Sequence, residues 1–310
     1  MREKYLAFGY VIDSPIPLPE AFPVSSETKA DVNVIFGVAG GDFPKSEDFN
    51  IAREERFWWF SVPDNSNTLF NCQSGLFEIH GGNEIIIQLY PDTDMEKAKI
   101  FLLGSAMGAI QVQRGRVPIH GGSVVTSRGA MIISGEQGAG KSTMTSAFVH
   151  NGYKYLTDDV SSISIEGDQA YVVPAFPQRK LVRDACAPLG YDPDGLIVVD
   201  SDRDKLAVRD RDNWQREKTI LSAIVELYPE PEKTRISVET ITGRQRLECV
   251  MQNLYRRWMH VPGGNFSVTE LKKALVIASQ AEVYRVGVPR GIDRIASIAQ
   301  EIAAELEFEP

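Results

Sequence analysis

Cysteine is scarce in this sequence and long hydrophobic runs are absent, and each shortage excludes a class of protein. The three cysteines, Cys72, Cys186 and Cys249, are far apart and form no CxxC pair. This argues against a disulfide framework or a zinc site and indicates a reducing, cytoplasmic compartment. No segment approaches the roughly 20 apolar residues of a membrane helix, and the first residues lack the apolar core of a signal peptide. We therefore expect no membrane partner.

An excess of basic residues is missing as well. The 310 residues carry a net charge of −9, which argues against nucleic acid or an anionic membrane as a partner held by bulk electrostatics. A local basic pocket remains compatible with this charge, and so does an oligomer. With 43% hydrophobic and 24% charged residues, the composition is that of a globular protein long enough for one large or two modest domains.

Residues 1–114 are predicted to form a smaller, β-rich N-terminal domain. The segment GLFEIHGGNEIIIQLY, residues 75–90, predicts a hairpin because its two alternating runs meet at a Gly-Gly-Asn turn. The tandem Trp58-Trp59 has two interpretations. It is either a peptide-binding surface or part of a strand on which one indole faces the core and the other is half-exposed.

A helix links this domain to a second one. A capping box of Thr93 and Glu96 predicts its start, and Gly115 follows its last apolar positions. From residue 115 onward, buried-strand patterns alternate with helical ones, which predicts an α/β domain over residues 115–310. The predicted strands are GAMIIS, YKYLTDD, AYVVPAF and KTILSAIVELYP, and the predicted helices cover residues 246–260, 268–279 and 290–308.

The segment GEQGAGKS, residues 135–142, fits the phosphate-binding pattern G-x-x-x-x-G-K-[ST]. A predicted strand precedes it and a predicted helix follows it, which is the context that the pattern requires. The glycines let backbone N–H groups surround phosphate oxygens, Lys141 can reach the β- and γ-phosphates, and Ser142 can bind Mg²⁺. We therefore predict ATP and Mg²⁺ as ligands, with nucleotide contacts from Gly135, Gln137, Gly138, Ala139, Gly140, Lys141, Ser142 and Thr143.

Two adjacent aspartates, Asp158 and Asp159, close the next predicted strand. One aspartate at the end of a strand is enough to hold Mg²⁺, directly or through water. A second one allows a division of labour, in which one carboxylate serves the metal and the other accepts a proton from an attacking hydroxyl. The sequence does not decide the order. We predict Asp158 as the catalytic base and Asp159 as the metal ligand.

Three segments, HGGSVV before the loop, SGEQGAGKST within it and NGYKYLTDDV after it, together resemble the catalytic core of HPr kinase/phosphorylase. That family is related in fold to ATP-dependent phosphoenolpyruvate carboxykinase. The resemblance covers residues 117 to about 165 and implies a P-loop α/β catalytic domain that phosphorylates a hydroxyl group with ATP. It also places His120 on an active-site histidine, with a buried structural histidine as the alternative.

The sequence departs from the HPr kinases in two respects. Gln137 stands where they usually have serine, and their downstream glycine-rich signature with a metal-binding glutamate is missing, so HPr itself is not the expected acceptor. The opening YLAFGYVIDSPIPLPE is instead similar to the HPr-kinase-like enzymes of lasso peptide gene clusters. This similarity implies that a precursor peptide is the partner and that its C-terminal serine is phosphorylated. A kinase for free serine and an ATP-hydrolysing switch without an acceptor are the alternatives.

Basic residues further along the sequence are candidates for contacts with a substrate. Arg179 and Lys180 follow a predicted strand, and the Arg179 guanidinium can bind a phosphate or a carboxylate through two hydrogen bonds. A solvated basic turn is the alternative. Residues 200–212 alternate in charge sign, which indicates a solvated loop, or a lid whose Lys205 or Arg209 reaches the phosphates on closure.

Overall fold

The computed structural model describes residues 2–41, 57–61, 66–200, 204–261 and 265–310, the side chain of Asp200 excepted. The protein has a mixed α/β fold, as predicted, and divides into two compact units. The first unit comprises Met1–Arg116 and Arg256–Val268, and the second unit comprises Val117–Tyr255 and Thr269–Pro310. Of the helices in the described ranges, none combines the length and the apolar character that crossing a membrane requires.

The first unit is built on one sheet of eight strands. The strands are β1 (Glu3–Ala7), β2 (Tyr10–Ser14), β3 (Phe22–Val24), β4 (Val32–Phe36), β5 (Trp58–Ser61), β6 (Asn67–Cys72), β7 (Gly75–His80) and β8 (Glu84–Leu89). Their order in the sheet is β3-β1-β2-β4-β8-β7-β6-β5. The predicted hairpin is present, because β7 pairs antiparallel with β8 and His80 lies opposite Glu84. Alternating side chains on these strands, among them Phe77, Ile79, Ile85 and Ile87, form the core of the unit.

A largely buried helical segment completes this unit. It consists of α1 (Met95–Phe101), a π-helical turn (Leu102–Ala106) and α2 (Met107–Gln113). The predicted capping box is wrong by one residue: the cap is Asp94, whose Oδ1 accepts the N–H of Glu96 at 2.9 Å. The Thr93 hydroxyl instead donates to the carbonyls of Ser74 and Tyr90, so it ties the preceding turn to β7 and is not available to the helix.

In the second unit, the described residues form eleven strands. They are β9 (Val117–Thr126), β10 (Gly129–Gly135), β11 (Tyr155–Thr157), β12 (Val160–Glu166), β13 (Gln169–Val173), β14 (Gln178–Val182), β15 (Ile197–Asp200), β16 (Lys205–Arg209), β17 (Thr219–Pro229), β18 (Ser237–Ile241) and β19 (Glu282–Val288). The main sheet runs β10-β9-β12-β13-β17-β19-β18, and β10 also pairs parallel with β17. Strands β10, β9, β12, β13 and β17 therefore close on one another, while β14, β16 and β15 form a separate small sheet.

Five helices belong to this region of the chain: α3 (Lys141–His150), α4 (Arg183–Cys186), α5 (Arg244–Gln252), α6 (Val268–Gln280) and α7 (Ile295–Glu305). The helix predicted over residues 246–260 ends at Gln252. Its continuation is prevented because the backbone turns to β9, where Leu254 forms a bridge with Ile119 and the Tyr255 N–H donates to the Pro118 carbonyl. The loop predicted over residues 200–212 is also wrong, since Lys205–Arg209 is the central strand of the small sheet.

Candidate active site

The phosphate-binding pattern forms the turn between β10 and α3. Strand β10 ends at Gly135, and α3 begins at Lys141 with Gly140 as its cap. Gly138 and Gly140 both adopt a φ of 88°, a conformation that glycine takes without strain. A Cβ added at either position would meet no atom within 4 Å, so the loop leaves open space there. These glycines are required by the backbone conformation and not by crowding.

The Lys141 side chain turns into this loop. Its Nζ donates to the carbonyl of Gly135 at 2.9 Å and to that of Glu136 at 3.0 Å. Burial holds the pKa of this ammonium below its usual value, because removal from water disfavours the charged form. The charge of Asp159 acts in the opposite direction, which shows that the loop lysine and the predicted acidic pair share one electrostatic environment.

A buried polar chain fixes the start of the loop. Asn253, just after α5, accepts the Gly135 N–H with its Oδ1 at 3.1 Å and donates through Nδ2 to Glu226 Oε1 at 2.9 Å. Glu226 lies on β17 opposite Ser134 of β10, and its other oxygen accepts from Arg285 Nε at 2.9 Å. No motif in the sequence singles out these side chains, because each of them lies at least 84 residues beyond Ser142, the last residue of the loop.

The acidic pair occupies the bend between β11 and β12. Strand β11 ends at Thr157 and β12 begins at Val160, so Asp158 and Asp159 form the whole connection. Gly122 of β9 allows this bend to lie close to α3. A Cβ at Gly122 would lie 2.2 Å from Thr145 Oγ1 and 3.0 Å from the Asp158 carbonyl oxygen, so only glycine fits.

Asp158 is the buried member of the pair, with 5% of its surface exposed. Its Oδ2 accepts the backbone N–H of Lys180 at 2.8 Å, while Oδ1 has no hydrogen-bond partner among the described residues. Burial raises the pKa of this carboxyl to about 6, and the nearby charge of Asp159 adds to the effect. A carboxylate that titrates near neutral pH and keeps one oxygen unpartnered is suited to accept a proton.

Asp159 is the accessible member, with 43% of its side chain exposed. Its Oδ2 lies 3.3 Å from Lys180 Nζ, and its Oδ1 lies 3.6 Å from His120 Nδ1. Burial alone would raise the pKa of Asp159, but the charges of Lys180 and His120 outweigh it and hold the pKa well below the usual range. Asp159 is therefore an ionised carboxylate over the whole physiological pH range.

The predicted histidine lies beside this carboxylate because of strand pairing. His120 on β9 is opposite Val160 on β12, and the N–H of Gly121 donates to the Asp159 carbonyl at 2.9 Å. The other side of the imidazole faces Tyr255, with 5.8 Å between the ring centroids. The structure thus brings His120 to the acidic pair, as expected of an active-site histidine.

Two further predicted residues, Lys205 and Arg179, have different outcomes. Lys205 is half-buried at the start of β16, opposite Val182 of β14, which is the strand that also carries Lys180. The interpretation of Arg179 as a substrate clamp is wrong. Its side chain is 0% exposed, and Nη2 donates to the Tyr191 hydroxyl at 2.8 Å and to Asp210 Oδ2 at 3.0 Å.

The residues present fit a nucleotide and a magnesium ion. The open loop with a buried ammonium suits phosphate oxygens, and the first turn of α3 supplies the Ser142 hydroxyl. Within the described part of the chain, no three His, Cys, Asp or Glu side chains form a metal site of their own. This agrees with the usual habit of Mg²⁺, which is held by one or two protein oxygens together with substrate phosphates and water.

Comparisons with known proteins add little. No protein-family model matches the sequence, and the curated proteins contain no significant match. Among solved structures, the chain is similar to the HPr(Ser) kinase/phosphatase from Coxiella burnetii, with 13% sequence identity and a TM-score of 0.30, over 61% of this chain and 98% of that one. A likeness this weak establishes neither an activity nor a substrate.

Proposed function

We propose that this protein is an ATP-dependent kinase that transfers the γ-phosphoryl group to a serine hydroxyl. The observation that carries the proposal is that the acidic pair lies close to the helix that begins in the phosphate-binding loop, because the space at Gly122 is bounded both by Thr145 of α3 and by the Asp158 carbonyl. A loop that only anchors a nucleotide does not need two carboxylates and a second lysine at the same place. A phosphoryl-transfer site needs all of them.

The phosphate-binding loop would position the donor. Lys141 would leave its two carbonyl partners and contact the β- and γ-phosphates, where a positive charge is required. The backbone of Gly138 and Gly140 would approach the phosphates closely, and the N-terminus of α3 would face their negative charge. Asn253 would keep the beginning of the loop in register through its bond to Gly135.

Ser142 and Asp159 would hold Mg²⁺, which, when bound, neutralises charge that develops on the transferring group. Lys180 and His120 keep Asp159 ionised, so an anionic oxygen is ready for the metal. Asp158 would accept the proton of the serine hydroxyl. At the same time, the serine oxygen would form a bond to the γ-phosphorus. The bond from phosphorus to the bridging oxygen breaks at the same time, and ADP leaves with the electron pair.

For the acceptor, we propose the C-terminal serine of a precursor peptide. This follows from the similarity of the segment YLAFGYVIDSPIPLPE to lasso-peptide kinases. Lys205, which is half-buried, is the cation that would pair with the terminal carboxylate, because Arg179 is buried and Lys180 is already paired with Asp159.

The experiment offers ATP and Mg²⁺ together with one of four acceptors: a serine-terminated peptide, the same peptide amidated, free serine, or none. Mass spectrometry and ADP release are followed. We expect phosphate on the free-acid peptide, less on the amide, and no transfer with Lys141→Ala. Lys154→Ala, which removes an exposed lysine of the same unit, is the matched control and should retain activity. Phosphorylation of free serine but of neither peptide would indicate a kinase for free serine. ADP release without any acceptor would favour an ATP-hydrolysing switch. Full activity of Lys141→Ala would refute the kinase proposal.

A further inference from the structure

The first unit carries a groove that the proposed chemistry leaves unused. Its volume is about 570 Å³, and none of its lining residues is acidic. The lining residues are Trp59, Arg257, Trp258, Val261, Asn265 and Phe266. All of them belong to the first unit, so the groove is complete within it. Grooves that combine aromatic rings with arginine are typical of surfaces where a few residues supply most of the binding energy.

Two stacked indoles form the apolar wall. The ring of Trp59 lies on that of Trp258, with 5.2 Å between the centroids and an angle of 24°, and yet Trp59 remains 46% exposed. The alternation of β5 explains this orientation. Trp58 and Phe60 pack with Leu69 on one face of the sheet, so Trp59 must point to the other. The strand predicted for the tandem tryptophans is thus present, with Trp58 packed against the core cluster and Trp59 half-exposed, and the exposed indole lines a groove.

Positive charge surrounds this wall. Arg256 and Arg257 are both exposed. The Arg256 guanidinium lies 5.2 Å from the ring centre of Phe57, and that of Arg257 lies 5.3 Å from the ring centre of Phe266. Stacking on an aromatic ring restricts the orientation of a guanidinium. In a protein with a net charge of −9, such a local positive surface selects for an acidic ligand.

The groove also offers backbone-recognition groups. Strand β5 stands at one end of the sheet order, and its pairing within the described residues is with β6 alone. No described strand pairs with the other edge of β5, so an extended chain could hydrogen-bond there, as in β-augmentation.

We infer that this groove binds an acidic peptide segment in extended form, with an aromatic or large aliphatic side chain against Trp59 and Trp258. Arg257, which lines the groove, pairs with a carboxylate next to that side chain. The inference rests on the proposed function in one respect, namely that the acceptor is a peptide. It assigns to the groove a part of the peptide other than the phosphorylated serine.

The test measures binding without catalysis. A fluorescein-labelled, serine-terminated peptide containing Glu-Phe-Glu is titrated with the full-length protein, and fluorescence anisotropy gives Kd. Matched peptides contain Gln-Phe-Gln or Glu-Ala-Glu. We expect the first peptide to bind most tightly, Trp59→Ala to raise its Kd at least about tenfold, and Arg257→Glu to do the same. Phe36→Ala is the control, because Phe36 is 50% exposed on β4 of the same sheet but does not line the groove.

The outcomes separate the groove from the kinase. In the phosphorylation assay, Trp59→Ala should raise KM and leave kcat unchanged. If the first peptide binds but is not phosphorylated, peptide binding by the groove is supported and the proposed kinase function is refuted. If the peptide is phosphorylated and both KM and Kd are unchanged in Trp59→Ala and in Arg257→Glu, the kinase function is supported and peptide binding by the groove is refuted. Equal binding of all peptides, or binding of none, would also overturn the inference.

Discussion

Replacing Asp158 by asparagine should increase the stability of the second unit at neutral pH while it abolishes phosphoryl transfer. The side chain is 5% exposed, and burial raises its pKa from the ordinary 3.8 to about 6. A difference of about two pKa units corresponds to about 3 kcal/mol, because each unit is worth about 1.4 kcal/mol. Asparagine keeps an oxygen for the Lys180 N–H and removes the buried charge.

The sign of this effect follows from proton binding. Below the ordinary pKa of 3.8, the carboxyl is protonated in both the folded and the unfolded chain and costs nothing. As the pH rises towards the folded pKa of about 6, the unfolded chain ionises first and the wild type loses stability relative to the variant. Above that value the loss is complete. The free energy of unfolding of Asp158→Asn minus that of the wild type should thus increase by about 3 kcal/mol between about pH 4 and pH 7.

The assay is urea unfolding at a series of pH values, followed by circular dichroism, without nucleotide and with a chelator present. The comparison between pH values cancels any constant cost of the new amide group. Asp159→Asn is the matched control with the opposite sign, since the pKa of Asp159 is held low and its ionised form stabilises the fold at neutral pH. Parallel pH profiles for Asp158→Asn and the wild type would refute the assignment of a buried, high-pKa carboxyl.

Three other predictions concern the charged residues around this pair. Asp159→Asn should lose activity that is partly restored by high Mg²⁺ or by Mn²⁺, whereas Asp158→Asn should stay inactive at every metal concentration; the opposite pattern would exchange their roles. Lys180→Met should lower kcat about 10- to 100-fold because Asp159 loses its ion-pair partner, and Lys180→Arg should keep partial activity. An unchanged kcat in both variants would show that Lys180 does not contribute to the site. Arg179→Met should cost about 3 kcal/mol of stability, because the partly buried carboxylate of Asp210 loses its ion-pair partner. The KM for the peptide should not change. A raised KM with unchanged stability would instead indicate that Arg179 contacts the substrate.

Much of the candidate site could be predicted from the sequence because its parts are local. The loop from Gly135 to Ser142 and the pair Asp158-Asp159 are separated by one helix and one short strand, so their proximity follows from the order of the elements. The approach of His120 also follows, since β9 immediately precedes β10 in a hairpin and pairs with the strand after the aspartates. These residues all lie within one continuous stretch of the chain, residues 120–159.

Contacts that depend on distant segments could not be read in this way. Asn253 reaches Gly135 only because β10 lies beside β17 and the chain after α5 returns to β9. Hydrophobic periodicity predicts a helix through this region, and the periodic pattern continues beyond the residue where the helix ends. The bridge of Leu254 to β9 overrides it, which is a tertiary interaction with no local signal.

The choice between Arg179 and Lys180 shows the same limit at a single residue. Both are basic, they are adjacent, and the sequence suggests Arg179 for its two-pronged geometry. In a strand, however, neighbouring side chains point to opposite faces, and a shift of one residue would exchange them. The phase of β14 is set by its pairing with β16 and by the Lys180 N–H, which donates to Asp158. That bond directs the Lys180 side chain to Asp159 and leaves Arg179 on the buried face, next to Tyr191 and Asp210. Lys180 thus holds one aspartate with its backbone and the other with its side chain, so the geometry of the acidic pair depends on the register of a strand that no motif describes.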